Sequence, residues 1–146
     1  MEGKEGVAKK KGLNSVEKLL FEAGKLILSK KGQELVVIDV RGLCSYADYI
    51  LVASARSTRQ VKALAEHLRD ELGKAGVKPL GTEGIEYGNW ALLDYDEVIV
   101  HIFYAPVREY YEIEGIWADA ERIWIEDESE LAELARIRRT RSRKAN

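Results

Sequence analysis

Hydrophobic residues in this chain switch between helical and extended spacing, and the switches mark its elements. Val16, Leu19, Leu20, Ala23 and Ile27 recur at helical spacing. Asn14 is placed to cap that helix, with Glu17 completing a capping box. Lys30-Lys31-Gly32 then supplies late positive charge and a closing glycine. Glu34 to Val40 (ELVVIDV) is β-branched and bounded by glycines, which predicts a buried strand. Asp48 to Ser54 (DYILVAS) predicts a second strand after a turn through Cys44, Ser45 and Tyr46. Ser57 and Gln60 make another capping box, and Val61, Leu64, Ala65, Leu68 and Leu72 stripe the helix that follows. Pro79, Gly81 and Gly84 predict a short extended segment and loop across 77–89. Trp90 to Tyr95 and Glu97 to Tyr104 leave so little room between them that a hairpin must turn at Tyr95-Asp96. Pro106 opens a helix running to Trp117. A last, weakly amphipathic helix is expected from about Asp127, its acids first and its arginines last.

The order α-β-β-α-β-β-β-α predicts an α/β fold, a single mixed β-sheet flanked by helices. Helices between strands permit parallel crossovers, while the late hairpin forces an antiparallel pair. Residues 1–13 are expected to be a disordered basic N-terminus, 14–125 the α/β domain, and 126–146 a C-terminal helix and basic tail. A length of 146 residues suits one domain with its own core. The lone Cys44 cannot form an internal disulfide, which points to a reducing cytoplasm. MEGKEGVAKKKG contains no apolar run, so no secretory leader is expected. No stretch approaches the ~20 apolar residues of a membrane span.

The net charge of −2 hides a segregation. From Arg136 onward there are six basic residues and no acid, and residues 1–11 carry four lysines against two glutamates. The body from 12 to 135 is therefore at −10. Such a body repels phosphate backbones and suits a basic protein partner. The basic tails can touch RNA non-specifically or simply remain solvated.

Candidate chemistry is sparse. Asp94 and Asp96 stand one residue apart at a strand end, where alternation puts both carboxylates on one side. Such a pair can hold magnesium for nucleotidyl transfer. That chemistry also wants a Gly-Ser turn upstream and a third carboxylate, yet Asn89 follows Gly88 and the next strand offers His101. His101 lies in phase with Ile99 and Phe103 and has no ligating partner at metal spacing. Ser54 and Ser57 flank a segment able to form a small anion nest. Gly81, Gly84 and Gly88 spell no phosphate-binding fingerprint, and Cys44 has no activating set. No catalytic residue, cofactor or metal is expected. The hairpin strand is less ordinary. Trp90, Leu92 and Asp94 share one face, and Ala91, Leu93 and Tyr95 the other, so both faces carry apolar bulk. Either helices cover both, or one face awaits a partner.

GNWALLDYDEVIVHIF (Gly88 to Phe103) followed by REYYEIEGIW (Arg108 to Trp117) closely resembles the signature half of the ribosomal silencing factor (Iojap) family. VIDVRGLCSYADYILVASARSTRQVKALAEHL (Val37 to Leu68) is similar to its first half, and Thr82-Glu83-Gly84 matches its Glu-Gly step. The resemblance covers roughly residues 15–120. It implies a mixed α/β fold like that of nucleotidyltransferases but without their catalytic set. It also implies binding to the large ribosomal subunit through ribosomal protein number fourteen, which blocks subunit joining and represses translation under nutrient limitation. Carried over by motif, the partner-contacting residues are Trp90, Leu92, Asp94 and Tyr95, extending to Asp96 and His101. A homodimer is implied as well. Two alternatives stay open, a metal-dependent nucleotidyltransferase using Asp94 and Asp96, and a dimeric RNA-binding domain working through its tails. Ala55 departs from the glycine common in the family, which questions any turn needing positive φ there.

The six bases after Glu133 make ribosomal RNA contact a testable expectation. Deleting residues 136–146 should weaken binding to the large subunit and flatten its dependence on salt. Unchanged affinity and slope in a salt titration would remove the tail from the interaction.

Overall fold

The first helix, α1 (Val16–Ser29), begins with Ser15 as its N-cap, whose hydroxyl accepts from Lys18 N at 3.2 Å. The computed structural model describes residues 15–132. The expected cap Asn14, the segment 1–13 and the basic tail from 133 lie outside the described residues. At the other end of α1 the left-handed residue is Lys31 (φ 66), not Gly32. Lys31 N donates to Leu28 O and Gly32 N to Ile27 O, both at 2.9 Å. This is a Schellman closure with a lysine in the place glycine usually takes.

Strands β1 (Gln33–Asp39) and β2 (Tyr49–Ala55) pair antiparallel. Helix α2 (Thr58–Lys74) starts at Ser57, which accepts from Gln60 N at 3.1 Å. The Gln60 amide does not return to Ser57 N as the expected capping box would have it. Its oxygen accepts from Arg56 N at 2.7 Å, and its nitrogen reaches the Lys30 and Lys31 carbonyls, each at 3.2 Å. One side chain thereby satisfies orphan groups at the end of α1 and the start of α2.

After α2 the chain forms β3 (Gly81–Glu83), β4 (Trp90–Asp94) and β5 (Val98–Tyr104), in an antiparallel run β3-β4-β5. β5 then lies parallel to β2, which makes the sheet mixed as expected. A short helix α3 (Ala105–Tyr111) and a 3-10 turn (Ile113–Trp117) follow. The continuous helix expected from Pro106 to Trp117 is therefore broken, at Glu112, which is left-handed at φ 48.

A larger difference comes next. Glu121–Ile125 is a sixth strand, β6, antiparallel to β1, in a stretch where the periodicity marks no element. It reads ERIWI at the sheet edge, with charges at two of five positions, and only its pairing with β1 makes it a strand. The helix expected from Asp127 is a single 3-10 turn, Glu128–Ala132, and its continuation lies outside the described residues. Leu131 of that turn is buried against Gly24 of α1, which has no side chain to obstruct it.

The sheet order is β3-β4-β5-β2-β1-β6. One face carries Leu35, Val37, Leu51, Ala91, Leu93 and Val100 beneath α1 and α2. The other carries Val36, Ile38, Ile50, Val52, Ile99 and Phe103, with Ile113 and Trp117 from the 3-10 turn. The central strands β2 and β5 are buried on both faces, which is why they read as unbroken apolar runs. Ala55 is ordinary extended strand paired with Tyr104, so no positive φ is needed there.

The turn that aims β4 depends on glycine. Gly84 and Gly88 both have φ +77, and a Cβ on Gly88 would fall 2.3 Å from the Thr58 carbonyl oxygen. Gly88→Ala should lower the unfolding free energy by about 1–3 kcal/mol. Gly73→Ala, in α2 with open space around it, should raise stability by about 0.5 kcal/mol. Urea denaturation of the pair checks both signs, and a neutral Gly88→Ala would mean the turn has another conformation available.

Candidate functional site

The β4–β5 hairpin is where the two faces differ most. Its turn is closed by Asp94, whose Oδ1 accepts from Asp96 N at 2.8 Å, with Asp96 left-handed at φ 73. Tyr95 N donates to Val98 O at 2.9 Å. The strand ends at Asp94, so the alternation on which the same-side expectation rests does not carry to Asp96. Asp94 is instead occupied as the cap of its own turn. Among the described residues, no group of three or more His, Cys, Asp or Glu is placed to hold a metal ion.

Trp90, Leu92, Asp94 and His101 lie on the face shared with α3, in register as Trp90 opposite Phe103 and Leu92 opposite His101. The three β4 residues are half-buried and His101 is buried. Trp90 stacks on Phe103 with ring centroids 4.7 Å apart and lies 5.2 Å from Tyr111. Its indole N–H donates to His101 Nδ1 at 2.9 Å. An indole only donates, so Nδ1 must be the accepting nitrogen and the ring proton sits on Nε2. Burial pushes the His101 pKa down to about 4, against a small opposing pull from Glu114. His101 is thus a neutral brace under Trp90.

Tyr95 does not join this group. It is buried beneath the helices on the opposite face, where burial raises its pKa, and its hydroxyl has no hydrogen-bond partner among the described residues. A partner approaching Trp90 would not reach the Tyr95 ring. Asp96 is exposed at the tip of the turn, at the margin of the Trp90 face.

Sequence reasoning passed over the residues that hold this face in place. Arg108 is buried, and its guanidinium bonds Glu114 Oε2 at 2.9 and 2.6 Å, Ser54 Oγ at 2.8 Å and the Glu34 carbonyl at 2.7 Å. Ser54 is therefore engaged with Arg108 and forms no anion nest. The missed signal was available, since Arg108 is the sole Lys or Arg from Glu83 to Glu121 inclusive, against ten acids. Tyr110 and Tyr111, two and three residues beyond it, are 80% and 55% exposed. They border an open groove of about 360 Å3 with Trp90, Asn89, Pro106 and Val107. This surface is aromatic, flanked in sequence by the exposed acids Glu109 and Glu112, and only partly covered.

Known proteins are similar to this chain in sequence and in fold. A family described as "Ribosomal silencing factor during starvation" matches residues 13–146. A ribosomal silencing factor from Chromobacterium violaceum is 40% identical over 105 residues, covering 72% of this chain and 84% of that protein. One from Bacillus subtilis is 33% identical over 91 residues, covering 62% and 77%. The crystal structure of a Chromobacterium violaceum protein superposes with a TM-score of 0.70 at 32% identity, covering 80% of this chain and 98% of that one.

The buried histidine has a pH signature. The unfolded chain takes up this proton near pH 6.5, whereas the folded one resists until about 4. Between those values the unfolded state binds more protons, so stability is lost as pH falls from about 6.5 to about 4. The loss due to His101 should be on the order of 2 kcal/mol by pH 4.5. His101→Gln keeps an acceptor for the indole N–H and should lack that part of the acid sensitivity. Urea melts of both proteins at several pH values decide the matter, since parallel curves would clear His101 of the effect.

Proposed function

The chain belongs to the ribosomal silencing factor family, and from that premise we propose that it acts by steric exclusion on the large ribosomal subunit. In this reading the Trp90 face docks on ribosomal protein number fourteen and keeps the small subunit from joining, which lowers translation when nutrients are scarce. The observation that carries the reading is the half-open face of the hairpin, where Trp90, Leu92 and Asp94 stand side by side. The ten-to-one excess of acids around it favours a basic partner through complementary charge. Trp90 and Leu92 supply apolar area, and Asp94 offers a charge-assisted bond to an arginine or lysine opposite. The work is occlusion and needs no catalytic group. No helix among the described residues is long and apolar enough to cross a membrane, in keeping with a protein that meets ribosomes in the cytoplasm. Self-association as a homodimer and contact of the basic tail with ribosomal RNA belong to the same proposal.

Cosedimentation with isolated ribosomal subunits tests it. The protein should pellet with the large subunit alone. Trp90→Ala should weaken that binding about thirtyfold, the loss of roughly 2 kcal/mol expected of an interface anchor. Trp90 also stacks on Phe103 and binds His101, so Leu92→Ala and a circular dichroism spectrum of each variant separate lost contact from lost fold. Light scattering of the same samples reads the self-association. Failure of the wild-type protein to bind either subunit would overturn the proposal.

A further inference from the structure

The groove beside Trp90 has a composition that the silencing reading leaves unexplained. Its walls are the rings of Trp90, Tyr110 and Tyr111, with Pro106, Val107 and Asn89 completing the lining. Tyr110 stands edge-on to Tyr111, centroids 5.1 Å apart and planes at 87°, and Tyr111 is tilted 45° to Trp90. The three rings therefore turn faces in different directions around one space. Both tyrosines are largely exposed, although tyrosine rings gain more than most side chains from burial. Glu109 and Glu112 flank the pair in sequence and are exposed too. The one base in the region, Arg108, is turned inward and already paired with Glu114, so it does not offset the surrounding acids at the surface.

A pocket walled by aromatic faces within an acidic surface favours a cation, and a planar one above others. A guanidinium can stack on a ring face while its edge N–H groups bond carboxylates, and it gives up its hydration more readily than an ammonium. We propose that this groove is a receptor for an arginine side chain of a basic protein partner. It would be a specificity contact that shares Trp90 with the Trp90-Leu92-Asp94 row and extends beyond it to Tyr110 and Tyr111. The proposal deepens the silencing reading by naming what the partner must present, and it rests on that reading only for the identity of the partner. A nucleic acid base would also stack on these rings, but its phosphates would be repelled by a segment with ten acids from Glu83 to Glu121 inclusive.

The test uses N-acetyl-arginine amide as probe and the indole and tyrosine ring signals of the full chain in NMR. The arginine probe should shift the Trp90, Tyr110 and Tyr111 signals saturably. The citrulline analogue, the same shape without charge, should not. Tyr110→Phe and Tyr111→Phe keep the rings and should keep the response, whereas the double change Tyr110→Ala and Tyr111→Ala should abolish it. In cosedimentation the double alanine variant should bind large subunits about tenfold more weakly or worse. Equal shifts with citrulline, no shift with arginine, or a response to adenosine monophosphate in its place would overturn the proposal. The two readings fail separately. Arginine binding in a protein that ignores large subunits would sink the silencing reading and leave the receptor, while the reverse result would sink the receptor alone.

Discussion

Arg108 carries the sole positive charge between Glu83 and Glu121, and the fold takes that charge inside. A buried guanidinium is costly unless its donors are met by a counter-charge and further acceptors. Three irregularities supply them. β1 shifts register between Gln33 and Val36, Glu34 is left-handed at φ 48, and its carbonyl meets the guanidinium. β2, otherwise apolar, places Ser54 where its hydroxyl can accept. The chain after α3 reverses at Glu112, which brings Glu114 back onto Arg108. Each would be a defect in isolation, and together they are the solvation shell of one ion. They also tie α3 and the 3-10 turn to β1 and β2, so the segment bearing Tyr110 and Tyr111 is anchored beside the sheet.

The same sheet face is organised around a second polar pair, weaker and of another kind. Trp90 and His101 lie where a half-covered sheet would otherwise expose an indole N–H to an apolar surround. The histidine takes that hydrogen bond as a neutral base, a state that its burial favours. Trp90 is thereby fixed on one side by Phe103 and on another by His101. A side chain held this way loses little further freedom on binding, which is the physical advantage of presenting an anchor from a strand and not from a loop. The opposite face of β4 does the reverse job, because Ala91, Leu93 and Tyr95 are buried on the helix-covered side, where α2 packs on β4, and hold the hairpin to the core.

Charge divides the molecule along similar lines. Acids outnumber bases in the described part of the second half, and Arg108 is turned inward onto Glu114. In the proposed docking, long-range attraction to a basic surface acts on the approach of the partner, while the apolar and aromatic groups set how long it stays.

How much of this was legible in the sequence varies with the range of the interactions responsible. α1, α2 and the strands β1, β2, β4 and β5 follow from local period and from side chains that must leave water together, and both hold whatever the rest of the chain does. The division of Trp90, Leu92 and Asp94 from Ala91, Leu93 and Tyr95 follows from strand alternation in the same way. The family motif was likewise visible in the order of the residues. Other features needed distant partners. β6 exists because β1 has an open edge for it, since Ile123, Trp124 and Ile125 favour an extended backbone but are too short a run to fix one alone. The break at Glu112 answers to a guanidinium whose other acceptors lie 54 and 74 residues away. Alternation could not say which face of β4 would be enclosed, since both carry apolar bulk. That was settled by where two helices pack, and it put Tyr95 in the core and left Trp90 half in the open. The sequence determined the elements because their causes are local. The tertiary structure decided the exposed surface, because burial belongs to the packed whole and to no single segment.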